Sequence, residues 1–94
     1  MKGARRFRAY LKDQLKDPAF RNAYEKEGVY AELAVQIARL RTQKKLSQRR
    51  LARLLHTSQQ TVSRLEDPQN TSYSLRTLNK VARALGKQLK VEFV

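Results

Sequence analysis

LSQRRLARLLHTSQQTVSRLED, residues 46–67, holds two serine-led segments of nearly equal length with three residues between them. Behind Ser47, the apolar residues Leu51, Ala52 and Leu55 recur at helical spacing; behind Ser58, Val62 and Leu65 do the same. Serine is a favoured N-cap because its hydroxyl oxygen accepts a hydrogen bond from a first-turn N–H that has no partner inside the helix. The spacing therefore predicts short helices over residues 48–55 and 59–66, joined by His56-Thr57-Ser58. At roughly 100° per residue, Gln59, Gln60, Ser63 and Arg64 share one arc of the second helix, and Val62 and Leu65 take the opposite side.

That polar arc has a definite chemistry. Glutamine pairs bidentately with the N6/N7 edge of adenine, and arginine with O6/N7 of guanine, both in the major groove. A helix that buries Val62 and Leu65 presents Gln59, Gln60, Ser63 and Arg64 outward, while its N-terminal N–H groups suit a phosphate. Two short helices in this arrangement form a helix-turn-helix pattern. The competing reading, a solubilising surface helix, loses weight against the charge of the chain. Its 21 Lys+Arg and 8 Asp+Glu leave a net +13, and such an excess favours a polyanionic partner. The excess is spread along the chain. Residues 29–94 hold 13 basic groups and 4 acidic ones, and residues 1–28 hold 8 and 4.

Ninety-four residues suggest one domain with a modest core. With no Cys, disulfides, thiolate metal sites and thiol nucleophiles are excluded. A single histidine, His56, excludes multi-histidine metal centres and leaves no basis for a Ser/His triad. No catalytic residue, metal or cofactor is expected. No apolar run approaches the roughly 20 residues of a membrane span, and the start is charged where a secretory signal would be apolar. The expectation is a soluble, cytoplasmic protein.

Along the remainder, residues 1–6 lack apolar periodicity and are expected to be mobile. Phe7, Tyr10, Leu11 and Leu15 predict a short amphipathic helix ending near Asp17-Pro18, and Phe20 and Tyr24 a second one starting there, with Pro18 at its first position and a break at Gly28. Leu33, Ile37 and Leu40 predict a helix over 30–44. Residues 67–73 read as loop, and Ser74 caps a helix that places Leu75, Leu78, Val81, Ala82 and Leu85 on one face and ends at Gly86. The tail QLKVEFV alternates, with Leu89, Val91 and Phe93 facing one way. A lone strand leaves its backbone groups unpaired, so pairing with the same strand of a second subunit is the simplest remedy. The fold class expected is all-α: a helix-turn-helix bundle of four to six helices with a short C-terminal β-strand pairing across a dimer. Its parts are an N-terminal helical extension (1–28), a helix-turn-helix domain (29–87) and the dimer strand (88–94).

From Leu33 to Leu85 the chain resembles the Cro/repressor type of helix-turn-helix, also called the xenobiotic-response-element (XRE) family. The residues that carry the likeness are Leu46, Ser47, Gln48, Leu51, Ala52, Leu55, Ser58, Gln59, Val62 and Glu66, followed by SLRTLNKVARALG. The resemblance implies a lambda repressor-like DNA-binding domain. In it Gln48 holds a phosphate and supports the reading helix, Gln59, Gln60 and Arg64 reach bases, and Arg41 with Glu66 forms a structural ion pair. DNA phosphate contacts are expected from Ser47, Gln48, Arg49, Arg50, Ser58, Thr61, Asn70 and Ser74, with Arg53 a further candidate. Two departures stand out. His56 replaces the family's usual turn glycine, and histidine is among the non-glycine residues that best tolerate the left-handed conformation. Asp67-Pro68 replaces the usual Asn-Gly and stiffens the following loop.

The flanks, LKDPAFRNAYEKEG and LKVEFV, are similar to those of HigA-type antitoxins, and EDPQNTSYSL to HipB-type antitoxins. The resemblance implies a homodimer that binds a palindromic operator in double-stranded DNA, represses its own operon and neutralises a small toxin protein. For HigA-like members that toxin is an mRNA-cleaving ribonuclease of RelE type; for HipB it is a kinase. Asp13, Asp17, Glu25 and Glu27 are the groups that would face a basic toxin; the alternative for residues 1–28 is an arm packed on its own domain. Other readings of the chain are a stand-alone repressor of phage type, a basic ribonuclease and a membrane-surface module built on Arg5, Arg6, Arg8, Lys12 and Lys16. The ribonuclease would need a sheet that the sequence does not offer, and acidic residues interrupt the membrane stripe.

Overall fold

The computed structural model describes residues 2–93, with side chains from Arg8 onward, as five helices: α1 (Lys2–Gln14), α2 (Pro18–Gln43), α3 (Gln48–Leu54), α4 (Gln59–Leu65) and α5 (Leu75–Ala84). Four start at the caps legible in the sequence. The side chains of Asp17, Ser47, Ser58 and Ser74 accept from the N–H groups of Ala19, Arg50, Thr61 and Thr77 at 3.0–3.2 Å.

Three helices end in the same way. Lys45, His56 and Gly86 have φ of 58°, 55° and 67°. At each, the N–H of the following residue reaches back to a carbonyl five residues earlier: Leu46 to Arg41, Thr57 to Ala52 and Lys87 to Ala82, at 3.1, 2.9 and 2.7 Å. This is the Schellman geometry, and the left-handed residue closes it. His56 is thus the turn residue of the α3–α4 connection, and its conformation is the one glycine adopts at Gly86.

The main core joins Ile37 of α2, Leu51 and Ala52 of α3, Val62 and Leu65 of α4, and Leu78, Val81 and Leu85 around α5; Leu51, Val62 and Leu85 are the largest side chains wholly removed from solvent. A second cluster gathers Phe20, Ala23, Ala31 and Val35 with Tyr10, Leu11, Leu15 and Tyr24 against them. Helix α2 supplies both.

Five expectations need correction. Residues 2–6 belong to the first helix, since α1 begins at Lys2. The expected helix of Phe20 and Tyr24 and the expected helix over 30–44 are not separate, because α2 runs from Pro18 to Gln43. Gly28 does not end it; the break is a kink at Glu27, with φ −132° and ψ 51°, immediately before the glycine. Burial of Phe20, Ala23, Ala31 and Ala34 along this helix outweighs the poor helix propensity of one glycine. Finally, residues 88–93 form no strand among the described residues. A ladder needs a partner strand, and no other segment of the described chain is extended beside it. Leu89 packs against the core, whereas Val91 and Phe93 stay exposed. Leu75, expected on the inward face of α5, is 61% exposed.

Candidate nucleic-acid interface

Helices α3 and α4 are held together by Leu51, Ala52, Val62 and Leu65, all buried. Because Val62 and Leu65 fill the inward side of α4, Gln59, Gln60, Ser63 and Arg64 all lie exposed on the outward side. Arg49, Arg50 and Arg53 are exposed on α3, and Gln48 and Thr61 are half-buried. No acidic residue occurs from Gln48 to Leu65. The outward surface of the pair is therefore a cationic and amide-rich face with no carboxylate to repel a phosphate.

The nearest carboxylate is Glu66, and it is neutralised in place. Arg41 Nε donates to Glu66 Oε2 at 2.6 Å and Arg41 Nη2 to Oε1 at 3.0 Å, a bidentate pair. Gln48 Nε2 donates to the same Oε1 at 3.1 Å, and Arg41 Nη1 donates to the Leu46 carbonyl at 2.7 Å. The side chains of Arg41 and Glu66 are 14% and 7% exposed. This network ties the end of α2 to the end of α4 and the start of α3, so it fixes how the two short helices lie on the core. Gln48 supports α4 through Glu66, and its amide nitrogen is engaged there.

Hydroxyls at the helix starts have double roles. Ser47, Ser58 and Ser74 each accept a backbone N–H; Ser58 and Ser74 also lie within 3.0 and 3.2 Å of the hydroxyls of Thr61 and Thr77. Asn70 is turned into its own loop. Its Nδ2 donates to the Arg64 carbonyl at 3.0 Å, and its Oδ1 accepts from the N–H and hydroxyl of Ser72 at 3.2 and 2.6 Å. Asn70 thus shapes residues 67–72, with Asp67 adding a turn by accepting from the Gln69 N–H. Asn70 is held against the end of α4 through the Arg64 carbonyl, and Leu89, Val91 and Phe93 lie within residues 88–93, after α5.

Sequence inspection missed two features. The Leu46 carbonyl is a third acceptor for Arg41, which no side-chain pattern signals. The loop is also anchored from behind, where Tyr73 packs edge-on against Tyr30 of α2 at a 5.5 Å centroid distance. A tyrosine in a polar loop was the available sign. Burial, and secondarily Tyr30, raises the Tyr73 pKa above its ordinary value.

A family model described as a helix-turn-helix domain matches residues 14–93, and the chain belongs to that family. Membership makes the chain a DNA-binding protein. No curated protein and no solved structure matched it.

Proposed function

We propose that the protein is a sequence-specific repressor that binds a palindromic operator as a homodimer, with α4 in the major groove. The observation that carries this is the acid-free face of α3 and α4, with Gln59, Gln60, Ser63 and Arg64 exposed along one side of a helix whose other side is buried. Gln59, Gln60, Ser63 and Arg64 read base edges, while Ser47, Gln48, Arg49, Arg50, Ser58, Thr61 and Ser74 hold phosphates and set the register. Two such helices enter successive major grooves roughly 34 Å apart. The test is fluorescence anisotropy on DNA from upstream of the protein's own gene, against a scrambled duplex of equal length, at several salt concentrations. Tighter binding to its own DNA by about a hundredfold or more is expected for specific recognition. Equal binding that collapses with salt would leave a non-specific basic protein.

The resemblance to HigA-type antitoxins extends this proposal to a toxin–antitoxin pair. The protein neutralises a small toxin, a ribonuclease of RelE type that cuts messenger RNA, and represses the operon that encodes both. Residues 1–28 are the toxin-contacting arm in this reading. Its support is the exposure of Asp13, Asp17, Glu25 and Glu27, outside the main core. One observation favours the stand-alone repressor instead. Tyr10, Leu11, Leu15, Phe20 and Tyr24 pack against their own chain, as in a simple structural arm. Co-expression with the product of the neighbouring gene separates the two: growth arrest relieved by this protein, with a stable complex on purification, is the antitoxin outcome.

A further inference from the structure

Helix α5 carries charge of one sign along its outward side. Arg76, Lys80 and Arg83 are all exposed and fall within roughly 60° of arc around the helix, opposite the buried Leu78 and Val81. No Asp or Glu occurs between Asp67 and Glu92, and among the described residues none of these three cations enters an ion pair. Cations at (i, i+3) and (i, i+4) repel, and a solvated helix face ordinarily interleaves carboxylates that relieve the repulsion. Arg76, in the first turn, also sits at the positive end of the helix dipole. The helix therefore bears a repulsion that an external anion would remove.

The stripe does not stop with the helix. Beyond Gly86 the Lys87 N–H donates to the Ala82 carbonyl at 2.7 Å, which holds Lys87 against the last turn. Lys44, the C-cap of α2, brings its Nζ to 3.0 Å from the point where a Cβ on Gly86 would stand. Three residues after Lys44 comes Ser47, the cap of α3, followed by the exposed Arg49 and Arg50. The cationic side of α5 thus leads, by way of Lys87 and Lys44, to the start of α3. We propose that Arg76, Lys80, Arg83, Lys87 and Lys44 hold the phosphate backbone of the same duplex, outward of the segment that α4 reads. The proposal rests on the DNA reading above and adds a flanking surface to it. Arg76 to Arg83 covers roughly 10 Å along the helix, room for about three phosphates of one strand. Helix α5 has no aromatic residue on which unpaired bases would stack, so a duplex backbone fits it better than a single strand. A membrane surface does not fit, because Leu78, Val81 and Leu85 are spent on the core.

Hydroxyl-radical footprinting on DNA from upstream of the protein's own gene reads backbone contacts directly. The wild-type chain is expected to protect a central segment and a flank on either side of it. At saturation K80A/R83A/K87A loses the flanks and keeps the centre, whereas R64A keeps the flanks. In salt titrations the triple variant lowers the slope of log K against log salt by about 2.7 per bound copy, from about 0.9 for each phosphate. Lys26, exposed on α2 and 18 residues before Lys44, supplies the control: K26A leaves footprint and slope unchanged. At low salt the triple variant melts no lower than wild type, because repulsion along α5 is gone. K80Q/R83Q/K87Q repeats the measurement if the alanine variant fails to fold. Flanks and slope at wild-type values in the triple variant overturn the stripe while the reading by α4 stands. A slope lowered as much by one K26A change as by each stripe residue reduces the effect to net charge and overturns it too. A wild-type chain that protects no segment overturns both.

Discussion

Arg41 and Glu66, 25 residues apart in sequence, meet in a bidentate pair at 2.6 and 3.0 Å whose carboxylate also accepts from Gln48. Both side chains are largely shielded, so each is satisfied only by the other and its neighbours. Arg41→Met strands a shielded carboxylate and is expected to cost about 3 kcal/mol, since the loss of one partner of a buried pair leaves an uncompensated charge. Replacing both, as in R41M/E66L, should recover most of that loss. Urea unfolding of the two single variants and the double gives the coupling. Additive effects would mean the pair does not hold α2 and α4 together.

On DNA, the exposed arginines divide by position. Arg64→Ala should remove about 1–3 kcal/mol of preference at one base position, because a bidentate bond to a base edge discriminates. Ala at Arg49, Arg50 or Arg53 should weaken all sequences alike. Each of these changes should also flatten the slope of log K against log salt by about 0.9, the share of one phosphate. Competition binding with single-base operator variants distinguishes them. Uniform weakening by R64A would remove it from the base-reading set.

At the turn, His56 holds φ 55° without being glycine. The left-handed conformation costs a side chain roughly 1–2 kcal/mol, partly offset by the extra freedom glycine has when unfolded. His56→Gly is therefore expected to stabilise the fold by about 0.5–1 kcal/mol, read as a raised midpoint in thermal unfolding. A destabilised H56G would mean the imidazole makes an interaction that outweighs the backbone cost.

Alkaline pH should loosen the fold through two tyrosines. The Glu32 carboxylate accepts the Tyr24 hydroxyl at 3.1 Å and raises its pKa above the ordinary 10.0. Burial, then Tyr30, raises that of Tyr73. A raised folded-state pKa means the unfolded chain releases its proton first. The stabilisation is thus complete below pH 10 and falls as pH rises through the folded-state values. Thermal midpoints between pH 8 and 11.5 should decline above pH 10, and less steeply in Tyr73→Phe. An equal decline in Y73F would assign the effect to other groups.

What was legible in the sequence was local. The caps at Asp17, Ser47, Ser58 and Ser74, the Gly86 terminus and the inward Leu51, Val62 and Leu65 follow from spacing and cap chemistry, and they orient α4. The misses are tertiary. Gly28 reads as a break, but only the packing of Phe20, Ala23 and Ala31 shows that α2 survives it with a kink at Glu27. Lys45 carries no turn signature, yet its backbone is left-handed because the Schellman bonds of Leu46 and Lys45 require it. The tail alternates like a strand, but a ladder depends on a second segment that one chain does not hold. For the candidate interface, residue types and outward arc were readable. The occupation of Asn70 inside its loop and of Gln48 by Glu66 depends on atoms brought together from elements far apart.

The absence of any carboxylate between Gln48 and Leu65 has a kinetic consequence. A cationic face with no opposing charge attracts every stretch of duplex, and encounter becomes fast and sensitive to ionic strength. Arrival rates on operator and on random DNA will then be nearly the same. Under the proposed reading, discrimination resides in departure, in how long Gln59, Gln60 and Arg64 retain a site once the arginines of α3 have brought the protein to rest on it. The time spent on a wrong sequence is spent travelling along it, since contacts to phosphate alone let a protein slide.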